Sequence, residues 1–408
     1  MIKEDSFIKN INVEVVVSIL FPFLILFTYI GRGIYNSTLF IILCSILYLI
    51  YRNKELKVFK DGFFKTFIIF TAFVAITVPF STNVGLSISK YGSFFFSSIS
   101  VLISGLYLYS YSINKQKNLI FALYILFFSS ICMEIITIIS IYFDVNALAY
   151  IKTLGEVKAK VANGFHLIEI FTSAIIPLSI FLYYLKPSKL KLMFIIISFI
   201  GILASTSRTA MLATIVSLSL FLLIKNKGNI FNKEFLFFIV SLFIASFLAF
   251  EISPQIQERV KSFQSTFSSK GDRMSGRFTV YEESFDRFKT AILTGHGIKS
   301  STDNYIIIKH KDSNEEVKHS HNIWLELLLD SGLIGAFSFL IFISYLIKFF
   351  YIKTRNISSI HKATIFATLC SIFLSSLSSW SIWSGNHIGP ILAIILIVSN
   401  IDKIKLKN

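Results

Sequence analysis

The amino-acid sequence predicts an all-α, polytopic membrane protein of about twelve transmembrane helices with a large, partly helical loop on the outer side. Three observations carry that prediction. Of 408 residues, 54% are hydrophobic, 15% are charged and 44 are phenylalanine, more apolar surface than a water-soluble domain of this length can bury. The apolar residues come in solid runs rather than alternating ones, which points to helices and away from a transmembrane barrel. The cations gather in every second connection between those runs, as expected of a chain that crosses a bilayer repeatedly.

Runs long enough to cross, or nearly cross, a hydrocarbon core lie at about 12–31, 36–51, 63–80, 90–111, 118–143, 166–185, 190–206, 208–224, 234–252, 322–350, 361–380 and 382–401. The joined pairs near 205–209 and 380–387 have connections short enough for a re-entrant reading. The first run follows a mixed-charge leader and lacks a small-residue cleavage site, so it reads as a retained helix rather than a secretory signal. Neither an internal repeat nor a linker subdivides the chain, which reads as one membrane domain, 1–408, with 253–321 as a large loop before the tenth span. Cys44, Cys132 and Cys370 all sit inside apolar runs and read as fully buried small hydrophobes.

One set of connections carries Arg52, Lys54, Lys57, Lys60 and Lys65, then Lys115 and Lys117, then Lys186, Lys189 and Lys191. The same set continues with Lys225, Lys227 and Lys233, with Lys348, Lys353, Arg355 and Lys362, and with the tail Lys403, Lys405 and Lys407. The opposite short connections hold only Arg32, Lys90, Lys152, Lys158, Lys160 and Arg208. The positive-inside rule therefore puts both termini in the cytoplasm. An even span count follows, in agreement with twelve.

Long loops escape that rule, so the cations of 253–321 are free for function. Within it, Phe278, Tyr281, Phe285 and Phe288 recur at three- and four-residue steps. They predict an amphipathic helix over 275–292 that lies on the membrane and roofs the bundle. The net charge of +16 is spent mainly on topology and lipid headgroups, which disfavours nucleic acid as partner; the external remainder implies an anionic ligand.

Four residues are candidates for chemistry. Arg208, in Ser205-Thr206-Ser207-Arg208-Thr209, stands between two apolar runs, where a guanidinium costs about 2.5–3.5 kcal/mol at mid-membrane and less near the surface. An anionic partner explains its retention, and arginine favours bidentate phosphate pairing; snorkelling to the interface is the plain alternative. Arg277 follows Ser275-Gly276 at a helix start, where free backbone N–H groups favour anions; a solvated charge would look the same. Gly295 and Gly297 suit either a close backbone approach to a ligand or an ordinary turn. Lys90, opening the fourth span, is a third candidate cation, or another snorkelling one.

His321 heads the sequence His321-Asn322-Ile323-Trp324-Leu325-Glu326-Leu327-Leu328-Leu329-Asp330-Ser331-Gly332-Leu333-Ile334-Gly335. At helical spacing, positions 321, 325, 328, 332 and 335 share a face that becomes smooth at the two glycines, where another helix could press close. The helix dipole disfavours the imidazolium, so a neutral His321 suits general-base work on a hydroxyl. Local hydrogen bonding would also account for it. Glu326 and Asp330, one turn apart, are expensive in a membrane and are expected to pair with buried cations or hydroxyls. His310, His319 and His321 lack matching metal ligands at usual spacing, and no phosphate loop or acidic metal cluster is evident. No metal or other cofactor is expected. A substrate carrying its own activated leaving group is.

The His-Asn, nine residues, Gly, two residues, Gly pattern, with Ser207-Arg208, Arg277, Gly295-x-Gly297 and the large loop, resembles the O-antigen ligase and polymerase superfamily of bacterial membrane glycosyltransferases. The likeness rests mainly on 160–345. It departs at Asn163-Gly164-Phe165-His166, where relatives often carry an Asn-Pro-Asn-like run, so His166 receives no role. The resemblance implies inverting, metal-independent transfer of a glycan from undecaprenyl diphosphate to a sugar hydroxyl at the periplasmic face of the inner membrane. Arg208 and Arg277 would contact the diphosphate, with Lys90 as an addition, and His321 would serve the acceptor. A ligase to lipid A core is the preferred reading, on the compact chain, the basic loop and Trp380/Trp383. A repeat-unit polymerase is the alternative, and a transporter of lipid-linked sugars a third.

Overall fold

The computed structural model describes residues 13–142, 166–204, 207–229, 277–299, 306–309, 314–317, 320, 322–377 and 381–405, with the isolated positions 233, 236 and 240. Each predicted run outside 234–252 contains a helix among the described residues. In order these are α1 (Val13–Ile30), α2 (Arg32–Asn53), α3 (Gly62–Thr77), α4 (Val84–Leu106), α5 (Lys115–Tyr142), α6 (His166–Leu185), α7 (Lys189–Ala204) and α8 (Arg208–Lys225). The loop helix α9 (Arg277–Thr290) and a hairpin of β1 (Ile306–Lys309) and β2 (Asn314–Val317) follow. The chain closes with α10 (Ile323–Lys353), α11 (Ser359–Ser376) and α12 (Gly385–Val398). The hairpin is antiparallel, with Ile306 opposite Val317. Among the described residues, 5 helices are long and apolar enough to cross a membrane: Arg32–Asn53, Gly62–Phe80, Val84–Tyr111, Lys115–Ile136 and Ile323–Lys353. Shorter apolar helices are Val13–Thr28, Ile170–Leu185 and Thr209–Lys225.

Helices in lipid gain nothing from merely burying apolar surface, so small residues and shape decide which pairs meet. The α4–α12 seam shows this. A Cβ on Gly385 would lie 2.9 Å from the Ser97 Cβ, and one on Gly389 would lie 2.0 Å from the Tyr35 hydroxyl oxygen. Ser97 Oγ donates to the Gly385 carbonyl at 2.8 Å, and Tyr35 reaches the same oxygen from α2. Phenylalanine fills the next layer: Phe67 and Phe70 of α3 meet Phe94 of α4 and Phe342 of α10 at centroid distances of 5.5–6.2 Å. Trp383 closes that layer against Phe94 at 5.3 Å.

The chain's alternation sorts the helix termini between two ends. At one end Lys225 donates to Tyr184, Lys191 to the Lys186 carbonyl and Lys403 to the Tyr109 carbonyl, while Lys353 pairs with Asp402. These are the cations expected on the cytoplasmic side. At the opposite end lie the starts of α4, α8, α10 and α12 and the segment following α9.

Two expectations are corrected here. The cysteines are free thiols, but Cys44 is exposed and Cys132 and Cys370 are half-buried; a helix apolar all round does not announce which face meets lipid. Helix α4 begins at Val84, capped by Asn83, whose side chain accepts from Leu86 N. Lys90 therefore lies inside the helix rather than opening it.

Candidate functional site

The site is built around α10, which is not the continuous helix its sequence suggests. Gly332 has φ 60° and ψ −159°, a non-helical conformation open essentially to glycine alone. The face shared by positions 325 to 335 is thus broken at Gly332, and the atoms nearest a Cβ there belong to the segment after α9. Leu333 and Ile334 would ordinarily donate to the carbonyls of Leu329 and Asp330. Instead Leu333 N donates to Ile292 O at 2.9 Å and Ile334 N to Leu293 O at 3.2 Å. The two vacated carbonyls accept from His296 N at 2.8 Å and Gly297 N at 2.9 Å. Residues 292–297 are spliced into the helix, so the break leaves none of these four groups unpaired, as burial requires.

The glycines make the splice possible. Gly295 has φ 67°, and a Cβ there would sit 2.6 Å from backbone atoms of Asp330, Ser331 and Gly332. A Cβ on Gly297 would collide with the hydroxyls of Ser81 and Ser87 at 1.8 and 2.7 Å. Gly-x-Gly is therefore a joint between the loop, α10 and α4, a role the sequence did not suggest. His296, between them, places Nε2 2.8 Å from the Arg287 carbonyl, which makes Nε2 the protonated nitrogen and caps the end of α9. Its own carbonyl accepts from Thr82 N at 2.9 Å.

Beyond the break, residues 333–353 reach about 31 Å by themselves at 1.5 Å per residue, enough for a hydrocarbon core. Residues 323–331 form a separate short arm. Asn322 is its N-cap, accepting from Trp324 N and Leu325 N at 2.9 and 3.3 Å, and Ser320 Oγ donates to the Asn322 carbonyl at 2.9 Å.

Both carboxylates of the arm are buried, Glu326 at 3% and Asp330 at 0% exposure; Glu326 has the cation and hydroxyl partners that the sequence led us to expect, whereas Asp330 takes a backbone N–H. Glu326 Oε1 lies 3.4 Å from Lys299 Nζ and accepts from Ser381 Oγ at 2.6 Å; its other oxygen accepts from Ile382 N at 3.0 Å. Asp330 Oδ2 accepts from Lys299 N at 2.9 Å. Lys299, itself at φ 63°, thus contributes both backbone and side chain to the arm. Deleting one partner of such a buried pair costs about 3–5 kcal/mol, because the other charge is left unmatched.

The other sequence candidates fall as follows. Ser207 caps α8 by accepting from Ala210 N at 3.3 Å, and Arg208 is the first residue of that helix, at the same end of the bundle as the spliced joint. Arg277 is the first residue of α9, which packs on α10. The side chains of Arg208 and Arg277, and His321 as a whole, lie outside the described residues, as do His310 and His319. Lys90 is half-buried one turn beyond Ser87, whose hydroxyl donates to the Ile298 carbonyl at 3.3 Å. The structure thus gathers Lys90's helix, the loop segment 292–299, the arm and the 381–384 turn at one place.

Sequence reading missed Lys299, Ser381 and Ser87 as parts of this assembly. It also passed over Glu134 of α5, fully buried against α7, where a Cβ on Gly201 would lie 2.0 Å from the carboxylate. A lone glutamate inside an apolar run was the available signal.

The comparison with curated proteins gives no match. Residues 193–340, the stretch from α7 through α8, α9 and the spliced joint into α10, match the family model described as O-Antigen ligase, and it is this part of the chain that is similar to that family.

Proposed function

We propose that the protein is an inverting, metal-independent glycosyltransferase of the inner membrane, working at the periplasmic face. It takes a glycan from undecaprenyl diphosphate and delivers it to an acceptor sugar hydroxyl, most simply as a ligase completing lipopolysaccharide on lipid A core. One observation carries the reading: the stretch matching the O-antigen ligase model contains Arg208, Arg277 and His321 together.

In this mechanism Arg208 and Arg277 grip the diphosphate, each from the first turn of a helix, where N–H groups and the dipole add to the guanidinium. Lys90 adds charge at the same face. The acceptor O–H attacks the anomeric carbon from the side opposite the diphosphate and His321 takes its proton. The sugar–phosphate C–O bond breaks, and the pair of electrons leaves on the lipid diphosphate, whose growing charge the arginines stabilise. Asn322 supports the histidine's role by capping the arm that His321 precedes. The basic residues gathered at the far end of the bundle support a cytoplasmic placement of that end, and with it of both termini.

The test is incubation of purified protein with an undecaprenyl-diphosphate glycan and each acceptor in turn. Transfer to lipid A core names a ligase. Elongation of the lipid-linked glycan names a repeat-unit polymerase, and transfer to neither removes the enzymatic reading in favour of transport.

A further inference from the structure

We infer that Glu326 is a positioning residue for the transfer: through Lys299, Ser381 and Ile382 it fixes the arm that follows His321 against the loop and the 381–384 turn. The inference rests on the glycosyltransferase reading above, but its geometry stands on described residues alone. Because Gly332 is non-helical, the spanning rod 333–353 does not dictate where the arm 323–331 points. Whatever holds the arm does.

The backbone bonds from His296 and Gly297 hold its base and Trp324 packs on Phe339 of the rod at 5.4 Å, while two carboxylates tie it to other segments. Asp330 sits at the break, its carboxylate accepting from Lys299 N and its carbonyl from Gly297 N, so it anchors the arm's base. Glu326 is one turn further out and receives donors from two other segments of chain, at 3.4, 2.6 and 3.0 Å. Measured from the pivot at Gly332, Glu326 lies about 9 Å along the arm and Asn322 about 15 Å, at 1.5 Å per residue. A tilt that shifts Glu326 therefore shifts the His321 end further. A misplacement of about 1 Å at a reacting group costs on the order of a hundredfold in rate.

The experiment compares Glu326→Gln, Lys299→Met and the double variant in steady-state transfer, each normalised to folded protein. Glu326→Gln keeps the shape but loses the ionic hold on Lys299 and, because its amide nitrogen cannot accept, one of the two acceptor positions that face Ser381 and Ile382. Its kcat is expected to fall at least about tenfold while KM for the lipid diphosphate stays within about twofold, because the grip on the donor is not carried by the arm. Lys299→Met, which leaves the Ser381 and Ile382 bonds in place, should lose less, and the double variant should lose less than the product of the singles. Wild-type kcat in Glu326→Gln, a loss confined to donor KM, or a loss fully matched by unfolded protein would overturn the inference.

Absence of transfer by the wild-type protein would instead sink the glycosyltransferase reading. The clamp is then decided by amide hydrogen exchange: Glu326→Ala should accelerate exchange at Ile382 with no change at Phe339 and Phe342. Unchanged protection at Ile382 would dismiss the clamp as well.

Discussion

Replacing Gly332 by alanine tests the spliced joint where an added carbon would come closest to backbone. A Cβ there would stand 2.4 Å from the Leu293 carbonyl oxygen, 2.5 Å from its carbon and 2.6 Å from Gly295 N. All three are backbone atoms, so no side chain can rotate away. Strain for a non-glycine residue at this φ and ψ is about 1–3 kcal/mol. Relieving the contact separates Leu293 from Ile334, and with it Ile292 from Leu333, at about 1 kcal/mol per hydrogen bond. The sum is about 3–5 kcal/mol, large against the marginal stability of most folds. Equilibrium unfolding in bicelles reads it directly. Gly92→Ala is the internal control: it lies within α4 with nothing within 4 Å of the added carbon, and relief of helix-interior glycine should stabilise by roughly 0.5–1 kcal/mol. A Gly332→Ala protein as stable as the control would show that α10 is a continuous helix and that the loop is not spliced into it.

Three further outcomes are expected. Arg208→Ala, Arg277→Ala and His321→Ala should each abolish glycan transfer while membrane abundance and thermal midpoint stay near wild type; near-normal product from any one removes that residue from the site. Gly201→Ala should lower stability by displacing the buried Glu134 carboxylate, and Glu134→Gln alone should be affected less by the added methyl, as a double-mutant cycle of unfolding midpoints would show. At the basic end, burial first and then the like charges of Lys353 and Lys115 push the Lys403 ammonium down to about 8. A folded-state value below the unfolded one means that the unfolded chain binds more protons between about pH 8 and 10.5. Stability contributed by this group should therefore rise with pH across that window and be flat below it. Lys403→Met should flatten the rise in a series of thermal midpoints, and an unchanged slope would contradict the assignment.

Much of the architecture was legible because membrane helices announce themselves through length and composition. Ser207 and Asn322 could be read as helix starts, since a short polar side chain before an apolar run is a local signal. The loop helix was legible too, through the three- and four-residue steps of Phe278, Tyr281, Phe285 and Phe288. The break at Gly332 was not. A single glycine in an apolar run costs only about 1 kcal/mol in a helix and is ordinarily tolerated, and what breaks the helix is a backbone segment 35 to 40 positions earlier. The same holds for Glu326: its burial implied partners, but Lys299 and Ser381 lie 27 and 55 residues away in sequence. The exposed thiol of Cys44 was misread because the run around it is apolar throughout, so periodicity carried no direction.

In the proposed mechanism Arg208, Arg277 and His321 serve one external pocket. After Cys44, Cys132 and Cys370 are replaced, single cysteines at 208, 277 and 321 can be labelled in intact spheroplasts with a membrane-impermeant thiol reagent. We expect all three to react from outside, each to be shielded by added lipid diphosphate, and pairs among them to be joined by a short bifunctional thiol reagent. Labelling from the cytoplasmic side, or cysteines that the lipid fails to shield and the cross-linker fails to join, would contradict it.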